Sequence, residues 1–319
     1  MAENAQLLKR LDPADYFKKF LVEGIYPEGR EINAFRDTLI ECGGLASDHQ
    51  SSAYVQQGGT CISCTCKLSL APDSDDPIFK WEIEAMESVP KDLIEHSQAH
   101  LQVLLGSNCR FLSSEQLCVC TQSEGKKIKK FQLRWTLHLK IMVLSWDGFL
   151  LDAILTSVQA ALLNTRIPTF IEYKDSNISE TLFAEDDDFL LGEEVPLEFN
   201  IEKVNIVEPE LNNKPLKLHQ LFAYLPFLLC SIETEKKKER LLLCDPPADL
   251  CKLYNKDFCE IIIGTNGNIN LLSMCSSSFS STQSNGDNLL DEIVSIAMKR
   301  HLSMTNALNK LVKLINSII

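Results

Sequence analysis

Residues 150–163 are apolar around almost the whole circumference of a helix, and this segment constrains the fold more than any other. A helix without a polar face must be buried on several sides. The preceding Trp146-Asp147-Gly148 is typical of a turn. We therefore expect a helix at residues 150–163 that lies at the centre of the molecule.

Two long strands are predicted upstream of this helix. Apolar and polar side chains alternate from Thr60 to Leu70, so one face of that strand should lie in the core. Alternation returns at residues 132–144, and the Gln-Gln-Gly-Gly of residues 56–59 favours a hairpin turn. The predicted core positions of the first strand are Ile62, Cys64, Cys66, Leu68 and Leu70.

The second half of the chain predicts further strands, at residues 228–232, 240–244, 258–264 and 268–275, the last two joined by Asn266-Gly267. Helical spacing of apolar residues predicts helices at 89–105 and 289–319. Asp12-Pro13 supplies an N-cap and a first-turn proline for a helix near the N-terminus. The two halves share a coarse order of strands followed by a helix, and the predicted fold class is α+β.

The predicted domain organisation is an N-terminal helix at residues 1–24 followed by a single domain at residues 25–319. Within that domain, residues 172–218 hold an Asp-Asp-Asp triplet, a Glu-Glu pair and several prolines, with short apolar runs. Such a composition favours loops over packed elements. We expect an acidic, loop-rich insertion there.

The charge balance limits the partners that the chain can bind. The sequence has 31 basic and 44 acidic residues, a formal net charge of -13, so any RNA contact must be local. The chain has no run of 18 apolar residues and its start does not resemble a signal peptide, so we expect it to be neither secreted nor membrane-spanning. Its 12 scattered cysteines fit a reducing compartment without disulfides.

Four stretches of the sequence together resemble the RNase PH superfamily, and within it the ring subunits of the eukaryotic RNA exosome. Residues 12–36 resemble the family's opening, with Asp-Pro-Ala-Asp-Tyr-Phe followed by Tyr-Pro-Glu-Gly-Arg-Glu and Ala-Phe-Arg. Residues 57–64 resemble its second strand, and residues 135–168 its central strand, turn and buried helix. Residues 289–313 resemble its closing helix. The stretches follow the family's order along nearly the whole chain.

The resemblance implies an RNase PH-like fold (ribosomal protein S5 domain 2-like), with two related β-rich halves that carry helices. It also implies a hetero-oligomeric, six-membered ring around an RNA channel. The partners would be other RNase PH-like exosome subunits, including the ribosomal-RNA-processing protein 46 type, together with RNA-binding cap subunits and RNA in the channel. Such rings serve 3′ to 5′ RNA processing and degradation, including rRNA processing and mRNA decay, in the nucleus, nucleolus and cytoplasm. No cofactor and no membrane contact are implied.

Active members of the superfamily cleave RNA with phosphate. The resemblance indicates which positions of this sequence correspond to their catalytic residues. Phosphoryl transfer needs bound phosphate, cations and carboxylates, because charge develops at the transferred group. Of two family aspartates six residues apart, Asp245 matches the first, but Cys251 stands at the second. The family's phosphate loop corresponds to the serine-rich residues 276–282, without arginine, and an arginine cluster corresponds to the net acidic residues 80–84. We predict no catalytic residues and no enzymatic activity.

Two groups of possible metal ligands are expected to be structural. Cys61, Cys64 and Cys66 form a Cys-x-x-Cys-x-Cys string, but strand geometry puts Cys61 on the opposite face from the other two. His96 and His100 have the spacing of paired metal ligands on a helix, but the catalytic glutamate of that motif is missing between them. We predict no metal site, with the cysteines packed in the core and the histidines bordering an apolar stripe.

Basic residues are concentrated in two lysine clusters on this acidic chain. These clusters are the sites at which the chain could contact an RNA backbone. Solvated hairpin turns are the favoured interpretation, and RNA contact or subunit contact is the alternative. The candidate contact residues are Lys126, Lys127, Lys129, Lys130, Lys236, Lys237 and Lys238.

The leading functional hypothesis is a non-catalytic structural subunit of the exosome ring. The alternative is an active phosphate-dependent 3′ to 5′ exoribonuclease of the same superfamily. A third possibility is a free-standing RNA-binding module, which would hold RNA as a monomer with strong salt dependence.

Overall fold

The structure, a computed structural model, describes residues 2–43, 51–72, 77–106, 111–123, 126–168, 171–173, 204–206, 213–233, 238–254, 257–275 and 286–318. The helices in these ranges are α1 (Ala2–Leu11), α2 (Pro13–Val22), α3 (Lys91–Leu105), α4 (Leu151–Asn164), α5 (Ala248–Leu253) and α6 (Gly286–Ile318). The strands are β1 (Thr38–Cys42), β2 (Ser51–Gln57), β3 (Thr60–Pro72), β4 (Phe79–Ala85), β5 (Cys118–Ser123), β6 (Lys126–Ser145), β7 (Arg166–Pro168), β8 (Ile171–Tyr173), β9 (Val204–Ile206), β10 (Asn213–Pro215), β11 (Ala223–Glu233), β12 (Lys238–Cys244), β13 (Phe258–Ile263) and β14 (Ile269–Cys275). Every described helix is too short or too polar to span a bilayer.

The first sheet has the strand order β1-β2-β3-β6-β4, with β5 paired to the N-terminal part of β6. The pairs are antiparallel except β4, which runs parallel to β6. The five predicted core positions of β3 are all buried, which confirms the alternation. The hairpin between β2 and β3 is also confirmed, and its register pairs Gln57 with Thr60.

Helix α4 is buried along nearly its whole length, which confirms the central helix predicted at residues 150–163. It packs on β2 and β3 of the first sheet and also contacts β11 of the second. Ile154, Leu155 and Val158 have no exposed surface. Full burial of each such side chain contributes about 1.5–3 kcal/mol, so α4 and the surfaces around it form the main apolar core.

The second sheet has the order β12-β11-β13-β14, with every pair antiparallel. Helix α6 packs on this sheet through Ile293 and Ala297, which belong to one buried cluster with Leu225, Phe227 and Ile261. The long C-terminal helix predicted at residues 289–319 is therefore present and anchored to the second half.

The turn between β13 and β14 lies at Asn266-Gly267, as predicted. Both residues have positive φ angles, 67° and 76°, in the left-handed region that asparagine and glycine adopt most readily. A Cβ atom at Gly267 would lie 2.3 Å from Cε of Met298, so a larger residue would also crowd α6. The Met298 side chain is flexible and partly exposed and can move aside, so the positive φ of the turn is what favours glycine.

Residues 2–22 form two helices, α1 and α2, where one N-terminal helix was predicted. Pro13 begins α2, and the Asp12 carboxylate accepts a first-turn backbone hydrogen bond at 2.9 Å, which confirms the predicted N-cap. The apolar residues Phe17 and Leu21 of α2 are buried with side chains of β11 and β12. The opening segment is thereby held against the second half of the chain.

The insertion predicted at residues 172–218 lies largely outside the described residues. The described parts of that range are residues 172–173, 204–206 and 213–218. Residues 213–215 form β10, which pairs with β7 directly after α4. The division into an N-terminal helix and one domain stays a prediction.

Candidate functional site

Asp245, the position that matches the first family aspartate, lies directly after β12 and is 2% exposed. Its carboxylate accepts four hydrogen bonds. Arg36 donates from its backbone N–H (3.0 Å), Nε (2.9 Å) and Nη2 (2.7 Å), and Gln57 donates from Nε2 at 3.2 Å. The φ angle of Asp245 is 48°, an uncommon value for a residue with a side chain, and the backbone there turns the carboxylate into the protein.

Arg36 also contacts a second carboxylate, that of Asp147, in the turn before α4. Nη1 of Arg36 donates to Oδ2 of Asp147 at 2.9 Å, and the other oxygen accepts the backbone N–H of Ala248 at 2.8 Å. Gly148 has a φ of 106°, and a Cβ there would lie 2.5 Å from the Pro246 carbonyl oxygen. This turn therefore requires glycine where the two halves of the chain meet.

The charges of this cluster stabilise each other. Burial alone would raise the pKa of Asp245, but the hydrogen bonds and charge of Arg36 outweigh it and hold that pKa below its ordinary value. Burial alone would lower the pKa of Arg36, but Asp245 keeps it above its ordinary value. Asp245 is thus a buried anion that Arg36 favours in its charged form. A carboxylate in that form has no proton to donate, and the hydrogen bonds from Arg36 and Gln57 direct it into the protein.

Cys251, at the position of the second family aspartate, lies in α5. Its Sγ is 3.6 Å from the carbonyl oxygen of Pro246, and burial raises the pKa of the thiol to about 12. A thiol with that pKa is neutral near pH 7, and the thiolate is the form that attacks or ligates. Cys251 therefore cannot replace the missing carboxylate.

A cavity of about 720 Å³ opens beside Arg36. Its second arginine, Arg30, is also engaged, because it donates to the backbone oxygens of Cys244 (3.1 Å) and Asp245 (3.0 Å) and lies over the Tyr26 ring. The lining residues are Glu28, Arg30, Arg36, Asp37, Thr38, Leu39, Gln56, Gly58 and Asp147. Arg36 is paired with Asp245 and Asp147, and Arg30 is paired with Glu28 at 3.1 Å, so the cavity is a poor phosphate cradle.

Residues 80–84 form part of β4, and their environment is less acidic than their sequence predicts. Lys140 on the neighbouring strand lies 2.7 Å from Glu84 and 4.0 Å from Glu82. The register also places Lys67 and Lys80 beside His138. Sheet pairing thus brings lysines that are distant in sequence beside this net acidic stretch.

These lysines line a surface groove of about 290 Å³ on the polar face of the first sheet. Burial, followed by the charges of Lys80 and Lys67, lowers the pKa of His138, which contacts the Ser69 hydroxyl at 2.5 Å. The groove is lined by Thr65, Lys67, Lys80, Trp81, Glu82, His138, Leu139 and Lys140. Sequence analysis missed it because its cations come from three strands; the alternation of β3 and β6 was the available signal.

The predicted lysine contacts fall in two strands and in undescribed residues. Lys126, Lys127, Lys129 and Lys130 lie in β6, where it pairs with β5. Lys238 begins β12 and pairs with Glu233, and Lys236 and Lys237 lie outside the described residues. The predicted role of these lysines in RNA or subunit contact stays a prediction. Residues 276–282, the counterpart of the phosphate loop, also lie outside the described residues.

The cysteine string is divided between the two faces of β3 as predicted. Cys64 and Cys66 are fully buried, while Cys61 is partly exposed, and all three are free thiols. His96 and His100 lie one turn apart on α3 and face the carboxylate of Glu260 on β13. Burial acts to raise the pKa of Glu260, but hydrogen bonds from His100 and His96 lower it to about 2.

The chain is similar in sequence to a known protein family and to known exosome components. Residues 34–168 match the RNase PH model, described as 3′ exoribonuclease family, domain 1. The exosome complex component rrp43 of Schizosaccharomyces pombe is 24% identical over 182 residues, which cover 53% of this chain and 63% of that protein. The exosome complex component Rrp42 of Methanothermobacter thermautotrophicus is 30% identical over 164 residues, which cover 47% and 56%. The chain thus spans less than two thirds of the length of either relative.

Solved structures show the same fold. An archaeal exosome core chain superposes with a TM-score of 0.53 at 20% identity, covering 96% of this chain and 100% of that chain. A chain of the Archaeoglobus fulgidus exosome with RNA bound to the active site has a TM-score of 0.54 at 19% identity, covering 91% and 96%. Rice Rrp46 has a TM-score of 0.51 at 11% identity, covering 90% and 99%. The match of residues 34–168 to the RNase PH model confirms the predicted superfamily for that part of the chain, and the solved structures confirm the α+β, RNase PH-like fold class.

Proposed function

We propose that the protein is a non-catalytic structural subunit of an RNA exosome ring, of the ribosomal-RNA-processing protein 43 type. The observation that carries the proposal is the state of the two matched catalytic positions. Asp245 is buried with four hydrogen bonds to its carboxylate, and Cys251 is a neutral thiol. Phosphorolysis needs carboxylates that can reach metal or proton at the reacting phosphate, and neither position offers one.

The ring role is supported by the relatives, whose names describe exosome components. The surface offers the apolar side chains that subunit contact requires, since such residues favour interfaces over solvent. The exposed large apolar residues on α6 and β14 are Ile269, Leu272, Met298, Leu302 and Leu314. On the proposed function, surfaces of this kind meet RNase PH-like neighbours, including one of the ribosomal-RNA-processing protein 46 type, and the RNA-binding cap subunits.

Support for 3′ to 5′ RNA processing and degradation, including rRNA processing and mRNA decay, would in this proposal come from the assembled channel. RNA would contact this subunit locally, because the chain as a whole is acidic. The groove around Lys67, Lys80 and Lys140 and the lysines of the β5–β6 hairpin are the candidate contacts. Residence in the nucleus, nucleolus and cytoplasm belongs to the same proposal.

Two measurements on the full chain test the proposal. The tagged protein, isolated from cells, should bring other RNase PH-like chains with it in near-equal amounts. The purified chain, incubated with RNA and inorganic phosphate, should release no nucleoside diphosphate above a heat-inactivated sample. Sustained release that elutes with the protein would establish the alternative, an active exoribonuclease. A monomer that binds RNA alone with steep salt dependence would instead indicate an RNA-binding module.

A further inference from the structure

Three metal-ligating side chains from the two halves of the protein converge on one point. Nε2 of His96 lies 3.1 Å from Nε2 of His100, and 2.9 and 3.1 Å from the two carboxylate oxygens of Glu260. Nε2 of His100 is 3.5 Å from Oε2 of Glu260. One ligand atom from each residue lies within 4.8 Å of the others. A search of the described residues for three or more histidine, cysteine or acidic side chains with ligand atoms this close together finds His96, His100 and Glu260.

These separations fit one tetrahedral metal ion. With metal–ligand distances of about 2.0–2.2 Å, two ligand atoms of a tetrahedral zinc site are about 3.3–3.6 Å apart. With Oε2 as the ligand atom of Glu260, the observed separations are 3.1 Å between the two imidazole nitrogens, 3.1 Å from His96 to Oε2 and 3.5 Å from His100 to Oε2. Movements of a few tenths of an ångström by side chains would complete the geometry, without any change of helix or strand.

Hydrogen bonding within the protein satisfies these groups incompletely. A neutral imidazole carries one ring proton, yet Nε2 of His96 faces His100 and both oxygens of Glu260 at once. Glu260 is 2% exposed, and its carboxylate also has a hydrogen bond with the buried Tyr224 side chain. One ring proton on Nε2 of His96 cannot serve His100 and both carboxylate oxygens together, whereas a cation at the centre of the three side chains would contact a ligand atom of each.

We propose that His96, His100 and Glu260 bind a single zinc ion. Two imidazoles and one carboxylate form a donor set typical of zinc, which accepts nitrogen and oxygen ligands in a tetrahedral site. The ion would link α3 of the first half to β13 of the second. It is a site separate from the Arg36–Asp245 cluster, and it does not depend on the proposed ring function.

The fourth coordination position would face a cavity. A space of about 370 Å³ is lined by His96 and Glu260 together with Trp146, Phe149 and Cys251. Its apolar walls offer few competing ligands, and burial raises the pKa of the Cys251 thiol, so we assign water as the fourth ligand. Three protein ligands and one water are the arrangement of open zinc sites.

Metal analysis of the full chain tests the site. The protein is stripped with a chelator, incubated with zinc, freed of excess ion and analysed by mass spectrometry for bound zinc. We expect one zinc per chain, and His100→Gln and Glu260→Gln should each weaken zinc binding by at least about tenfold, the lower end of losses seen when even an outer-shell partner is removed. His219→Gln, an exposed histidine outside the cluster, is the matched control and should bind zinc like the unaltered chain.

X-ray absorption on the zinc-loaded, unaltered chain keeps the proposal testable if a variant fails to fold. A first shell of two imidazole nitrogens with oxygen ligands supports the site. Zinc bound through sulfur would place the ion on cysteines and overturn the proposal, as would a chain that retains no zinc or ligand variants that bind it as tightly as the control. None of these readouts depends on ring assembly or RNA turnover.

Discussion

Arg36 donates three hydrogen bonds to the carboxylate of Asp245, a residue 209 positions further along the chain. This pair fixes the segment before β1 to the end of β12. Asp245, whose position resembles that of a family aspartate, is therefore part of a contact that joins the two halves of the chain.

Asp245→Asn should destabilise the protein strongly. The substitution keeps the size of the side chain but leaves Arg36 buried without its main counter-charge, and removal of one partner of a buried ion pair costs about 3–5 kcal/mol. Urea unfolding followed by circular dichroism measures the loss. Asp249→Asn is the control, because the Asp249–Lys9 pair is largely exposed and should contribute less than about 1 kcal/mol. Equal losses in both variants would contradict the structural role.

Gln159→Met should weaken the attachment of α4 to the second half. The side-chain amide of Gln159 donates to the Phe222 carbonyl at 2.8 Å and accepts its backbone N–H at 2.6 Å, both buried. Each group left without a partner costs about 1–3 kcal/mol. Thermal unfolding should show a clear drop in Tm, while Gln102→Met on the exposed side of α3 should show little. An unchanged Tm for Gln159→Met would contradict a stabilising role for the hydrogen bonds between Gln159 and Phe222.

Ile154→Ala should open a cavity at the centre of α4. Ile154 is fully buried, and truncation of such a side chain costs about 2–5 kcal/mol. Leu302→Ala on α6 is the control, because that side chain is 62% exposed and exposed substitutions change stability by about 0.5 kcal/mol or less. Denaturant midpoints of the isolated chain compare the two, and similar midpoints would argue against a central α4.

His138 should titrate below its ordinary pKa of 6.5, because burial and then Lys80 and Lys67 disfavour its charged form. NMR titration of the ring protons measures this, and Lys80→Ala should raise the His138 pKa. Lys310→Ala, on the exposed side of α6, should leave it unchanged. The unfolded chain takes up this proton more readily than the folded one, so the His138 contribution to stability is lost as pH falls below 6.5. An ordinary His138 pKa would contradict the groove geometry.

The periodic elements could be predicted because their signals are local. The alternation of β3 and the apolar circumference of α4 each depend on residues close in sequence, and both were confirmed. Strand β4 carries the same alternation, with Phe79, Trp81 and Ile83 between polar or charged residues, so it too could be predicted from local sequence.

The sites could not be predicted in the same way, because their partners are far apart in sequence. Nothing near Arg36 indicates Asp245, and nothing near His96 and His100 indicates Glu260, 164 residues from His96. The resemblance identified Asp245 as a position of interest, but the structure was needed to show that Arg36 and Gln57 occupy its carboxylate.

Helix α4 has one apolar side covered by β2 and β3, and another that contacts β11, whose residues begin at Ala223. During synthesis α4 therefore leaves the ribosome well before β11, the strand that covers its second apolar side. Until β11 is made, the nascent chain exposes this apolar surface of α4, and the need for chaperones should be greatest in that interval. A truncation that ends before β11 should consequently give insoluble protein, even though it would contain the whole first sheet.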